Sequence, residues 1–103
     1  EPVLLEALAT VMAINRGRFI SMMNDLTTFQ VSLLNAIIDG YSKFSTAEVI
    51  RKYSLNSSAN VRRLKDALMK KEILTFVGED AKPVILDPLF EYWLRNYYFK
   101  KNQ

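Results

Sequence analysis

Apolar side chains recur at steps of three and four residues along most of this chain, and interruptions in that rhythm mark its elements. From Val3 to Asp25 they fall at Leu4, Leu5, Leu8, Val11, Met12, Phe19, Ile20 and Met23, which predicts a helical lead-in with a break at Gly17. The segment is more apolar than one amphipathic helix needs, so a neighbouring domain or a second copy is expected to cover part of it. Thr27 with Gln30 then makes a capping box, with Leu26 and Val31 as its hydrophobic staple. The helix that follows runs from Phe29 to Asp39, is expected to bury Phe29, Leu33, Ala36 and Ile37, and stops at Gly40. The same device recurs at Ser45 and Glu48, with Phe44 and Val49 as the staple, and that helix ends near Tyr53.

After the turn Ser54-Leu55-Asn56, Ser57-Ser58 is a third helix start. Val61, Leu64, Ala67 and Leu68 share one face of this helix, which leaves Ser58, Ala59, Arg62, Arg63, Asp66 and Lys70 on the other. Ile73 to Val77 and Val84 to Leu86 read as two strands around the turn Gly78–Lys82. Asp87-Pro88 opens a last helix, with Asp as cap and Pro at the first helical position. Its apolar face is Leu89, Phe90, Trp93, Leu94, Tyr97 and Tyr98, while Tyr92 and Phe99 fall off that stripe, free to cover a partner. The order is helix, helix, turn, helix, hairpin, helix. That is a winged helix-turn-helix, mainly α with a small β-hairpin. Residues 1–25 are its helical lead-in and residues 26–103 the winged-helix domain.

Composition narrows the chemistry. With neither cysteine nor histidine among 103 residues, disulfides, thiolate chemistry and histidine-based catalysis are excluded, and a zinc site would need carboxylates alone. No Gly-rich loop of the phosphate-cradling type is present, and Asp39, Glu48, Asp87 and Glu91 are scattered, so no catalytic constellation and no cofactor is expected in this chain. The apolar run Val3–Ile14 is too short to span a bilayer, and a cytoplasmic, membrane-free setting is expected. The chain opens on Glu1 rather than Met, as a piece of a longer protein would.

Charge is the informative quantity. The net charge is +3, but Arg51 to Lys71 alone holds seven basic residues against Asp66, or +6, which leaves −3 for everything else. A field concentrated in this way favours a polyanionic partner. In helix-turn-helix proteins the second helix presents the outward residues of its first turns to base edges in the major groove. Here those are Ser58, Ala59, Arg62 and Arg63, and the arginine fork suits guanine or phosphate. Ser57 and Ser58, with the free amides at the helix start, could hold a backbone phosphate. Lys52, Lys65, Lys70 and Lys71 are placed for non-specific phosphate contacts. Asp66 on the reading face and Glu79-Asp80 in the hairpin turn point the other way, since both would repel a phosphate backbone.

The run "SSANVRRLKDALMKKEIL", a short hairpin and then "LDPLFEYWLRNYYF" resembles the C-terminal region of prokaryotic P-loop ATPases of the AAA/STAND type. The most specific part is Asp87-Pro88-Leu89-Phe90 to Trp93, and "NDLTTFQVSLLNAIIDG" is similar to the opening helix of that region. The resemblance implies a parent chain that binds ATP and Mg, with residues 1–25 as the tail of its ATPase lid and a contact to that upstream domain. Where glycine is common in winged-helix repressors, in the turn and before the first wing strand, this chain has Ser54 and Glu72. Two readings stay open: a double-stranded DNA-binding appendage centred on Arg62 and Arg63, or a protein-interaction, regulatory or oligomerisation module that does not touch DNA.

Overall fold

The computed structural model describes residues 2–101. Its elements are α1 (Pro2–Asn24), α2 (Thr28–Ile38), α3 (Ala47–Lys52), α4 (Ser58–Lys70), β1 (Leu74–Val77), β2 (Lys82–Ile85) and α5 (Pro88–Trp93). α5 continues into a π-helical turn, Leu94–Tyr98. This is the winged helix-turn-helix that the sequence pattern predicts. The wing is antiparallel, with Leu74 opposite Ile85 and Val77 opposite Lys82. Among the described residues no helix is long and apolar enough to cross a membrane.

The core forms where the helices converge. Phe19 from α1 packs on Phe90 and Trp93 of α5, with ring centroids 5.3 and 5.5 Å away. α2 is central and buries Leu33, Leu34, Ala36, Ile37 and Ile38. α4 contributes Val61, Leu64 and Leu68, the turn contributes Leu55, and the wing contributes Leu74 and Ile85. The longest dimension is 45 Å against 26 and 25 Å, and the radius of gyration is 14.5 Å. A compact chain of this length would have a radius near 13 Å. The excess comes from α1, whose core contacts start only at Leu8 and Met12, so its first turns project from the domain.

The helix ends follow their chemistry. Thr27 and Gln30 form the expected capping box at α2, and Leu26 and Val31 beside it pack on the core. Asp87 caps α5 by accepting from the amides of Leu89 and Phe90, with Pro88 at the first position. α2, α3 and α4 all stop in a Schellman motif. Tyr41 N–H donates to Ala36 O, Leu55 N–H to Ile50 O, and Ile73 N–H to Leu68 O. Each motif needs one left-handed residue, supplied by Gly40 (φ 100°), Ser54 (φ 56°) and Glu72 (φ 58°).

Five local expectations are corrected. α1 runs unbroken through Gly17; a mid-helix glycine costs about 1 kcal/mol, which the packing of Phe19 and Met23 beyond it offsets. Phe29 sits in the first turn of α2, outside the core, and is 42% exposed, while Leu34 and Ile38 are buried in addition. The cap of α3 is Thr46, which accepts from Val49 N–H, rather than Ser45, so α3 begins at Ala47 with Val49 turned inward. β2 starts at Lys82, because a two-stranded ribbon tolerates Pro83 on its open edge. Finally, Tyr97 and Tyr98 are 49% and 43% exposed whereas Phe99 packs on the core. The π-helical turn is the cause: Phe99 N–H bonds back to Leu94 O, five residues away, and the wider turn rotates every later side chain off the α-helical stripe.

Candidate nucleic-acid interface

The start of α4 is held firmly, which fixes the direction of everything that follows on it. The Ser57 hydroxyl accepts from Asn60 N–H at 3.1 Å, and the Asn60 side-chain amide donates to Leu55 O at 2.8 Å. Leu55, fully buried beneath the turn, anchors that carbonyl. Ser57 therefore serves as the N-cap, while Ser58 and Ala59 lie exposed on the outer face of the first turn. Val61, Leu64 and Leu68 bury the opposite face, so Arg62 and Arg63 must face water.

Ser58, Ala59, Arg62, Arg63 and Lys65 come together in one open cleft of ≈ 700 Å³, which Ser45 completes. Ser45 is the residue that sequence reasoning used as a helix cap. With the cap moved to Thr46, Ser45 is released to line this cleft, and a Ser-Thr pair before a helix was the only signal that either could do so. Arg62 and Arg63 have no acidic partner within salt-bridge distance among the described residues, whose ion pairs are Arg18–Asp87, Arg95–Glu91 and Lys101–Asp39. Asp66 pairs with neither Arg62 nor Lys70. It shares a second depression of ≈ 690 Å³ with Arg63, Ala67, Met69 and Lys70, so Lys70 faces solvent next door to the cleft rather than inside it.

The other lysines are more committed. The Lys65 ammonium lies 4.9 Å from the Phe76 ring centre and 5.7 Å from that of Phe44, bridging α4 to the wing by cation–π attraction. Lys71 donates to Asp25 O at the end of α1. Lys52 donates to the Tyr41 hydroxyl at 3.2 Å, and that contact holds its ammonium pKa above the usual lysine value. The acidic wing tip does not stand alone. Asp80 and Ala81 border a cleft of ≈ 410 Å³ together with Lys43, Ser45 and Lys65.

The Arg18 guanidinium reaches Asp87 at 3.2 Å, tying α1 to the cap of α5. Nothing in the sequence announced this pair, because its members are 69 residues apart.

No curated protein and no solved structure matches the chain. A family model does, over residues 17–96, from the second half of α1 into the π-helical turn. With the helix-turn-helix, the paired wing strands and the closing helix all inside that stretch, the chain belongs to the family described as a probable winged helix domain.

Proposed function

We propose that the domain binds double-stranded DNA through the outer face of α4, as the C-terminal appendage of a P-loop ATPase. One observation carries the DNA reading: Arg62 and Arg63 stand exposed and, among the described residues, without an acidic partner on the face of α4 that a helix-turn-helix offers to DNA, within one cleft with Ser58, Ala59 and Lys65. An arginine fork left unpaired by its own protein keeps its full capacity for phosphate or guanine. The ATPase parent rests on the sequence resemblance alone, of which Asp87-Pro88-Leu89-Phe90 to Trp93 is the most specific part. Such a parent would supply the ATP and Mg chemistry, none of it through this chain's residues.

The test is fluorescence anisotropy of a labelled duplex at about 50 and 200 mM salt, beside Arg62→Ala/Arg63→Ala. With roughly three phosphates neutralised, affinity should fall on the order of 50-fold between those salts. The double variant should lose at least tenfold at the lower salt with its helix content unchanged. Absence of binding at 50 mM salt, or equal binding by the variant, would sink the reading. A regulatory or protein-binding role would then take its place, and the acidic wing turn Glu79-Asp80 and the unpaired Asp66 favour that second reading.

A further inference from the structure

The first half of α1 carries apolar surface that the rest of the chain does not cover, and most of it lies before the family-matched stretch. Leu4 and Leu5 are 66% and 64% exposed. At 100° per residue, Leu5, Glu6, Ala9, Ala13 and Arg16 fall on one stripe of the helix. Ala9, Ala13 and Arg16 of that stripe line an apolar groove of ≈ 550 Å³, with Tyr97 and Tyr98 on the far wall. The groove exists because the π-helical turn swings those two tyrosines out of the core.

We propose that this groove is the interface between two copies of the chain, with their α1 helices packed antiparallel about a two-fold axis that crosses the Ala9–Ala13 face at the level of Val11. Charge selects this occupant and this direction. About that axis Ala9 of one copy faces Ala13 of the other, and Glu6 faces Arg16, each twice by symmetry. A parallel pairing would set Glu6 against Glu6 and Arg16 against Arg16. Neither side chain has an ion-pair partner among the described residues. Thr10 bonds to the backbone carbonyl of Glu6, leaving its carboxylate available. The two alanines let the helix axes approach to about 8 Å, the close end of the usual range. Tyrosine suits the groove wall, offering an apolar ring to the partner and a hydroxyl to the rim. In this register residues 2–20 of the two α1 helices overlap, a strip of about 28 Å, and together with the tyrosine wall it comes near the lower limit of roughly 600 Å² per partner for stable interfaces. An interface at this lower limit should give a weak dimer, one that forms with rising concentration across the micromolar range. It does not depend on what α4 binds.

Sedimentation velocity at about 50 mM salt, from about 1 to 200 μM chain, tests this with four proteins: wild type, Glu6→Arg, Arg16→Glu and the double swap. Both residues are exposed, so the fold should survive each change, as circular dichroism would verify. Wild type should dimerise with rising concentration, and each single reversal should weaken dimerisation about tenfold or more. The double swap should restore it to within about threefold. A chain that stays monomeric overturns the proposal and leaves the groove to a different partner, such as another domain of a longer protein. A dimer indifferent to the single reversals, or one that the double swap fails to rescue, overturns it as well.

Discussion

Tyr53 joins two parts of the molecule through one hydroxyl. It sits at the C-terminal end of α3 and donates to the Asp39 carboxylate at the end of α2. Asp39 also takes the Lys101 ammonium at 3.0 Å, so the last described residue is pinned to the helix-turn-helix. Burial pushes the Asp39 carboxyl up, but the Tyr53 hydroxyl, Lys101 and the charge of Lys52 together outweigh it and hold its pKa below the usual value. The Tyr53 phenol is pushed up, by burial and then by Asp39. Because the folded carboxyl is the stronger acid, its contribution is present above the unfolded aspartate value, about 3.9, and fades as pH falls through the folded one. The raised phenol contributes below about pH 10 and fades as pH climbs beyond it. Tyr53→Phe should therefore cost about 1.5 kcal/mol at pH 7, the value of a hydrogen bond to a charged group. Urea denaturation should show that difference shrinking as the pH falls below the unfolded aspartate value of about 3.9. No periodicity could have revealed this cluster, since it gathers Asp39, Tyr53 and Lys101 from three separate places in the chain.

At the scale of elements, starts and ends both left signals in the sequence. α2 stops at Gly40 and α3 at Tyr53 as expected, and the one start displaced is that of α3, from Ser45 to Thr46. Ser, Thr and Asp caps act through the next two or three residues, so spacing identified Thr27 and Asp87 and narrowed the third cap to Ser57-Ser58, of which the structure uses Ser57. The ends of α3 and α4 use Ser54 and Glu72 in the left-handed region, where sequence reading looks for glycine. The hydrogen bonds of the Schellman motif and the burial of Leu55 and Ile73 just beyond it hold those residues there. The missing glycines thus change the local strain but not the fold. Asp87 is the cap that does most, since its Oδ1 accepts from Leu89 N–H while its Oδ2 meets Arg18. Asp87→Ala should destabilise by about 1.5 kcal/mol, mostly from the cap, because half-exposed ion pairs add little. Arg18→Ala should cost less than about 1 kcal/mol in the same denaturation experiment.

For the molecule as a whole, one aromatic cluster decides whether α1 belongs to the domain. Phe19 is fully buried against Phe90 and Trp93, with the Arg18 guanidinium 4.6 Å above its ring. Phe19→Ala should cost about 3–5 kcal/mol, a large part of the stability of a domain this small. Thermal denaturation should place it far below wild type, with DNA binding lost only in proportion to unfolding. Arg62→Ala/Arg63→Ala should do the opposite, keeping the melting temperature while losing the duplex.

By itself the sequence determined the order of elements, the winged helix-turn-helix and the outward face of α4. Each of these rests on contacts between residues a few positions apart, where spacing and geometry are the same thing. Only the tertiary structure decided that Lys65 turns to the aromatic edge of the wing, that Ser45 joins Arg62 and Arg63 in one cleft, and that Asp39 meets Lys101. It also decided the fate of Tyr97 and Tyr98. A period of 3.6 residues cannot foresee a π-helical turn, because that turn lets Phe99 reach the core, which is a property of the packed molecule and not of the chain's rhythm.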